Sequence, residues 1–264
     1  MKVLNSGKHP SKFFGVLKKS QSRALLLDYD GTLSPFTVKR DKAFPYPGVK
    51  EILENIIQGG STRLVIITGR GSHDLIPLLG LKQLPEIWGS HGAERLMTDG
   101  THQETPVSDA TAEGVEAAIR WIVEMGWGAH LEKKPFGVAF HWRGMQSANI
   151  REMTDKLLEN LPHLTAGAGL SLHEFDGGLE LRLPEITKGK AVETILAEMQ
   201  SDTVSAYLGD DFTDEDAFVA VKQYGTRAIG VLVREELRET HADLWLRPPK
   251  ELLDFLRQWH EATP

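Results

Sequence analysis

The sequence predicts an α/β fold: a doubly wound parallel sheet with an inserted α+β cap domain. Three observations predict it. Short, continuous apolar runs such as Leu25–Leu27 and Leu64–Ile67 alternate with stretches whose apolar residues recur at helical spacing, the pattern of parallel strands covered on both faces by helices. Between residues 103 and 178 these runs give way to apolar–polar alternation, which suits an antiparallel sheet with one covered face. Parallel-type runs then return. The expected division is therefore a core of residues 1–102 and 179–264, with a cap of residues 103–178.

Taken in order, Phe13-Phe14-Gly15-Val16-Leu17 among Lys8, Lys12, Lys18 and Lys19 reads as a basic amphipathic helix packed on the domain. It is too short for a signal-peptide core, and no small-residue cleavage site follows it. Leu25–Leu27 is the first buried strand, and Ser34–Tyr46 is a polar, proline-bearing loop. A helix begins at Pro47-Gly48-Val49, with Val49, Ile52, Leu53, Ile56 and Ile57 on one face, and Gly59-Gly60 ends it. Arg63–Ile67 is the second strand, Ser72–Leu79 a short helix, and Ile87-Trp88 a short third strand. The inserted part reads as a helix over Ala112–Met125, two β-like runs at Ala129–Glu132 and Gly137–Trp142, and a helix over Ser147–Leu161. Leu170–Phe175 and Leu179–Leu183 follow as alternating runs on either side of Gly177-Gly178. Lys188–Met199, Asp214–Gln223 and Pro249–Trp259 complete the helices; Val204–Leu208, Arg227–Val233 and Leu244–Leu246 complete the strands.

At 264 residues the chain can bury a large core. Its net charge of −7 argues against general affinity for nucleic acid or anionic membranes, so an anionic substrate needs local cations or a metal. With no cysteine, thiolate zinc sites, disulfides and cysteine nucleophiles are excluded, which suits a cytoplasmic location. No stretch approaches the ~20 apolar residues that span a bilayer.

The chemistry gathers at the ends of the apolar runs. Asp28 and Asp30 follow the first strand, one residue apart, before Gly31 and Thr32. Strand carboxyl ends face the binding crevice of an open α/β sheet, where paired acids serve chemistry better than stability. An ordinary acidic turn is the plainer alternative. Gly209-Asp210-Asp211-Phe212-Thr213-Asp214-Glu215-Asp216 repeats the pattern after another strand. Thr213 or Asp214 as a helix cap explains one or two of these acids, but not the pair directly after the strand. Crowded carboxylates repel unless a cation holds them, and hard oxygen donors without thiolates point to Mg²⁺. A carboxylate nucleophile, a second carboxylate as acid and base, the Thr68 hydroxyl and the Lys188 cation then compose a phosphoryl-transfer site.

Asp28-Tyr29-Asp30-Gly31-Thr32, Thr68-Gly69-Arg70, Lys188-Gly189 and Gly209–Asp214 resemble, in order, the four motifs of haloacid-dehalogenase-type phosphatases. The fourth motif, extended to Phe218, resembles that of trehalose-6-phosphate phosphatases, as do Gly89–Glu94 and Glu132–Arg143. The resemblance implies a Mg²⁺-dependent phosphatase that releases trehalose from trehalose 6-phosphate through an aspartyl-phosphate. It implies Asp28 as nucleophile, Asp30 as general acid and base, and Thr68 and Lys188 on the phosphoryl oxygens. Asp28, the Asp30 carbonyl and Asp210 would hold the metal, with Asp211 and Asp214 orienting ligands or waters.

The implied substrate set is Gly69, Arg70, His91, Glu132, Lys134, His141, Arg143, Glu180 and Arg182, of which Glu132, Lys134 and Glu180 correspond to the family's sugar-contacting cap residues. From pattern alone, charged residues alternating along strands read as a solvated face, and His141 and Arg143 either touch substrate or support the cap. Trp142, where another aromatic is usual, and Leu183 between Arg182 and Pro184 depart from the family pattern without disturbing the Arg182–Lys188 spacing. The cap is expected to close on the sugar through the polar connections near Thr101 and Gly177-Gly178. The expected partner is a small-molecule sugar phosphate, acted on by a monomer without nucleic acid or membrane. A related sugar phosphate (sucrose phosphate, mannosyl- or glucosyl-3-phosphoglycerate) is the alternative substrate, and a non-catalytic acidic-pocket binding module the alternative class.

Overall fold

In the computed structural model, which describes residues 1–37, 39–134, 136–142, 145–175, 177–223 and 227–263, the apolar runs become strands of one large sheet. The chain divides into two units, residues 1–103 with 187–264 and residues 104–186. The first part of the larger unit runs β1 (Lys2–Val3), α1 (Pro10–Lys19), β2 (Arg23–Leu27), α2 (Val49–Gly59), β3 (Arg63–Ile67), α3 (Ser72–Leu79), β4 (Glu86–Gly89), β5 (Glu94–Leu96) and β6 (His102–Glu104). The smaller unit holds α4 (Asp109–Glu124), β7 (Leu131–Lys134), β8 (Gly137–His141), α5 (Ser147–Leu164), β9 (Ser171–Phe175) and β10 (Gly178–Arg182). The larger unit resumes with α6 (Lys188–Ala197), β11 (Val204–Gly209), α7 (Glu215–Lys222), β12 (Ala228–Val233), β13 (Leu244–Leu246) and α8 (Lys250–Ala262).

The nine-stranded sheet has the order β1-β13-β12-β11-β2-β3-β4-β5-β6. Its six central strands, β13 to β4, are parallel, with β1 and β5 pairing antiparallel at either side. Alternation within the strands splits the core. Leu25, Leu27, Leu64, Ile66, Leu208 and Val231 pack on one face with residues of α1, α2, α3 and α8. Ala24, Leu26, Val65, Ile67, Tyr207 and Leu232 pack on the other with α6 and α7. The sheet is thus doubly wound. The basic N-terminal segment is a packed helix: Phe13 and Leu17 are buried, and Phe14 meets Phe255 with ring centroids 5.2 Å apart. Each such burial contributes roughly 1.5–3 kcal/mol. The three-residue strands β5 and β6 extend the sheet beyond Ile87-Trp88, the last strand the apolar pattern predicts before the inserted part. Among the described residues no helix is long and apolar enough to cross a membrane.

The smaller unit carries a four-stranded antiparallel sheet ordered β7-β8-β10-β9. The strand Gly178–Arg182 belongs to this sheet, whereas the pattern reading assigned residues from 179 onward to the core, and the division falls between 186 and 187. The reason is the hairpin. Gly177, with φ of 102°, turns the chain so that Leu179 faces Glu174 on one side and Phe140 on the other. Leu179 and Leu181 then join Val138 and Phe140 on an apolar face covered by Ala118, Ile122, Met153, Leu157 and Leu161.

Candidate active site

Asp28, Thr68 and Asp210 directly follow the parallel strands β2, β3 and β11, so they share one edge of the sheet. β2 lies between β3 and β11, where the order of winding reverses, and that is where an open α/β sheet opens its crevice. Gly31 adopts φ of 85°, and a Cβ there would lie 2.3 Å from the Asp210 carboxylate. Glycine is therefore the residue that lets the first acidic loop and Asp210 approach.

Lys188, on the first turn of α6, is buried between two carboxylates. Its Nζ donates to Asp28 Oδ1 at 2.6 Å and to Asp214 Oδ1 at 2.8 Å. Asp214 also accepts from the Tyr207 hydroxyl (2.5 Å) and from the backbone N–H groups of Asp210 and Asp211 (both 2.9 Å). These four bonds fill its lone pairs, making Asp214 a strut that fixes Lys188 and the Asp210 loop. A Cβ on Gly209 would lie 2.4 Å from Asp214 Cγ, so a second glycine opens room for this strut. Asp211 accepts from the Phe212 N–H at 2.6 Å and forms a reciprocal cap with Asp214.

Burial pushes the Asp28 carboxyl up to about 7 despite the pull of Lys188, and the charge of Asp214 adds to the rise. Burial, then the charges of Asp28, Asp214 and Asp211, push Asp210 well above the carboxylate range. Burial would also raise Asp214, but Lys188, Tyr207 and the Asp211 N–H hold it low. Burial alone would lower Lys188, yet Asp214 and Asp28 raise it, so it stays an ammonium. Two adjoining buried carboxyls thus lack enough positive charge.

A divalent cation fits that deficit. Asp28, Asp210 and Asp214 each offer an oxygen within 4.8 Å of the others, and Asp210 Oδ2 is buried with no hydrogen-bond partner. With Asp214 engaged elsewhere, Asp28 and Asp210 are the carboxylates able to ligate. Thr32, for which the motif alone implies no task, donates to Asp28 Oδ2 at 3.0 Å and lies 3.3 Å from Asp210 Oδ1. Arg238, which no sequence pattern marked, reaches the carbonyls of Asp210 (3.3 Å) and Asp211 (2.7 Å) and braces this loop.

Asp30 stands apart from the cluster, with 31% of its side chain exposed. Arg70 grips both its oxygens, Nε to Oδ2 at 2.7 Å and Nη2 to Oδ1 at 2.6 Å. Thr68 is fully buried, and its Oγ1 accepts from the Arg70 N–H at 3.1 Å. Ser90 and His91 take left-handed φ values of 50° and 59°, unfavourable for side-chain-bearing residues. Their N–H groups donate to the Arg70 and Thr68 carbonyls, and Ser90 Oγ donates to Glu94. That turn lays the His91 ring over Gly69, where a Cβ would sit 2.7 Å from Nε2. Glu94 closes the Gly89–Glu94 motif. It accepts from both the Ser72 N–H and hydroxyl and contacts His102, tying α3 to this turn.

The remaining candidates lie in the smaller unit. Strand register puts Glu132, Lys134, His141, Glu180 and Arg182 on the sheet face opposite its apolar core. Glu132 and Glu180 flank Ala139, and Lys134 and Arg182 flank Gly137. Lys134 Nζ donates to Glu180 Oε1 at 2.6 Å, and His141 Nε2 lies 2.7 Å from Glu132 Oε2. Glu180, Lys134 and Arg182 are buried, so this is not the solvated face that alternation suggested. Charged residues persist there because they pair. Arg143 lies outside the described residues.

The sequence model of the family described as trehalose-phosphatase matches residues 26–245. The chain belongs to the trehalose-phosphatase family. Within it, the chain is similar to a trehalose-phosphate phosphatase of Mycobacterium leprae, 32% identical over 88% of this chain. It spans 56% of that relative's length. The fold matches the C-terminal domain of a C. albicans trehalose-6-phosphate phosphatase with a TM-score of 0.82 at 21% identity, covering 99% of both chains. It also matches a haloacid dehalogenase-like hydrolase from B. subtilis, with a TM-score of 0.61 at 12% identity, over 89% of this chain and 99% of that one. The family is thus built here on the haloacid-dehalogenase fold.

Proposed function

We propose that this chain is a Mg²⁺-dependent phosphatase that hydrolyses trehalose 6-phosphate to trehalose and phosphate. One observation carries the reading: in a chain of this family, an under-neutralised pair of buried carboxylates, Asp28 and Asp210, sits at the strand-order reversal beside Lys188. Oxygen-only donors and an unpartnered Asp210 Oδ2 suit Mg²⁺, which Asp28, Asp210 and the Asp30 carbonyl would hold. Bound there, the ion supplies positive charge that lets an anionic phosphate meet an anionic nucleophile.

Asp28 attacks phosphorus through a carboxylate oxygen as the bond to the sugar oxygen breaks, and Asp30 gives that oxygen its proton. Asp30 then takes a proton from water, which attacks the aspartyl-phosphate and frees Asp28 and phosphate. Lys188 and Thr68 neutralise and hold the phosphoryl oxygens, while Asp214 and Asp211 keep Lys188 and the metal loop in place. Glu132, Lys134 and Glu180 recognise sugar hydroxyls, with carboxylates as acceptors and the ammonium as donor.

Phosphate release from trehalose 6-phosphate, sucrose phosphate, glucosyl-3-phosphoglycerate and an aryl phosphate, with and without Mg²⁺, tests the reading. Trehalose 6-phosphate is expected to lead the panel and to need the metal. Preference for another sugar phosphate, or turnover in chelator, contradicts it. Glu180→Ala is expected to cut kcat/KM for trehalose 6-phosphate by about 10²-fold, leaving the aryl phosphate within about threefold, as loss of a buried charged hydrogen bond predicts. Equal losses on both would remove Glu180 from sugar recognition.

Metal binding is expected to release protons. In the metal-free protein Asp28 is pushed up to about 7 and Asp210 is also raised, so below that pH the ion competes with protons. By linkage, the metal-free protein loses stability as pH rises from the ordinary carboxylate range to about 7, because the native state holds protons the unfolded chain has given up. Mg²⁺ affinity by calorimetry should therefore fall between about pH 8 and about pH 6, with proton release seen in buffers of different ionisation enthalpy. A pH-independent affinity without proton release counts against this pair as the ligands.

A further inference from the structure

The family resemblance implies Arg70 as a substrate ligand, but its guanidinium is already committed. Arg70 is 4% exposed, and Nη1 donates to the Arg40 carbonyl at 2.9 Å while Nε and Nη2 take the two oxygens of Asp30. Its backbone is pinned as well: the N–H donates to Thr68 Oγ1, and the carbonyl accepts from the Ser90 N–H at 2.7 Å. The Arg70 guanidinium also lies over the Tyr29 ring, 5.9 Å from its centroid, and Tyr29 is anchored by its hydroxyl on the Ala43 carbonyl at 2.6 Å.

A fork of two parallel N–H bonds fixes the plane of a carboxylate, not only its position. A carboxyl group has about four lone-pair sites; the fork takes two, leaving about two, one of which can carry the proton of the acid form. Arg70 is buried and Asp30 part-exposed, so the carboxyl meets accessible space while the guanidinium does not.

We propose that Arg70 is a positioning residue for the reaction, orienting the carboxyl of Asp30 toward the leaving oxygen, and is not a phosphate ligand. The proposal rests on the reading of Asp30 as general acid. As the Asp28–phosphorus bond forms and the phosphorus–sugar oxygen bond breaks, the proton carried by Asp30 passes to the sugar oxygen. Arg70 gives up none of its own protons and only holds the donor in line.

Leaving-group dependence separates orientation from phosphate binding. A sugar alkoxide leaves poorly without a proton, whereas p-nitrophenolate needs none, and kcat/KM reports the step in which that group departs. Arg70→Met is expected to lower kcat/KM on trehalose 6-phosphate by on the order of 10²-fold and on p-nitrophenyl phosphate by less than about fivefold. Arg70→Lys, whose single ammonium cannot fill the fork, should fall between Arg70→Met and the parent and carries the same comparison should Arg70→Met not fold. Adding Arg70→Met to Asp30→Asn should cost little more, because both act through one carboxyl. Equal losses on both substrates, or full additivity with Asp30→Asn, overturns the proposal. Asp30→Asn alone is the control for the reading beneath it: equal losses on both substrates in that variant reject Asp30 as general acid, whatever Arg70 does.

Discussion

Asp28→Asn is expected to abolish turnover, with a loss on the order of 10⁶-fold, the scale seen when a catalytic nucleophile is removed. The amide keeps the size of the side chain, and an oxygen remains to accept from Lys188, which approaches one carboxylate oxygen at 2.6 Å. It lacks a nucleophilic carboxylate, so chemistry fails while folding and Mg²⁺ binding persist in weakened form. Steady-state phosphate release, paired with calorimetric Mg²⁺ titration, checks both halves. Substantial phosphate release by this variant would sink the covalent mechanism.

Lys188→Met is expected to cost about 3–5 kcal/mol of folding stability in metal-free protein, the usual result of removing one partner from a buried ion pair. Methionine nearly matches the stem of lysine but leaves Asp28 and Asp214, both buried, facing each other without a cation. The sign of the pH dependence follows. Below the raised carboxyl range these groups can take up protons and soften the loss, so the deficit should be larger at about pH 8 than at about pH 5. Urea unfolding of parent and variant at the two pH values measures it. A deficit below about 1 kcal/mol at both would mean that Lys188 does not neutralise this cluster.

Much of the site was legible because its residues follow continuous apolar runs. Asp28, Thr68 and Asp210 were found that way, since a parallel strand shows as an unbroken apolar stretch and its end is where chemistry sits. Spacing alone implies no task for Thr32, Tyr207, Glu94 or Arg238, because their roles depend on distances in the fold. Tyr207 lies in a strand run that looks merely apolar, and only the fold brings its hydroxyl to Asp214. A buried tyrosine three residues before Asp210, on the strand that leads into the acidic cluster, is the signal that points to it, since its hydroxyl needs a partner. Arg238 sits in a segment without periodicity, where spacing carries no information.

The cap shows the opposite failure. Alternation correctly indicates one apolar face along Leu179 and Leu181, but it says nothing about which sheet a strand joins. Gly178 pairs with Phe175 just past the turn, which ties Gly178–Arg182 to Ser171–Phe175 rather than ending the insertion. Pattern also misjudged the polar face, since Glu180 and Lys134 are as buried as core residues and survive there by pairing. Arg70 falls in the substrate set that the resemblance implies, and only the fold reveals that its guanidinium already grips Asp30.

The most direct measurement is rapid acid quench after mixing the protein with trehalose 6-phosphate and Mg²⁺, followed by peptide mass spectrometry. One phosphoryl group is predicted on the peptide that contains Asp28, absent in Asp28→Asn and absent when Mg²⁺ is chelated. Phosphate release with no phosphoryl group on that peptide, or with one on a different residue, would contradict the account.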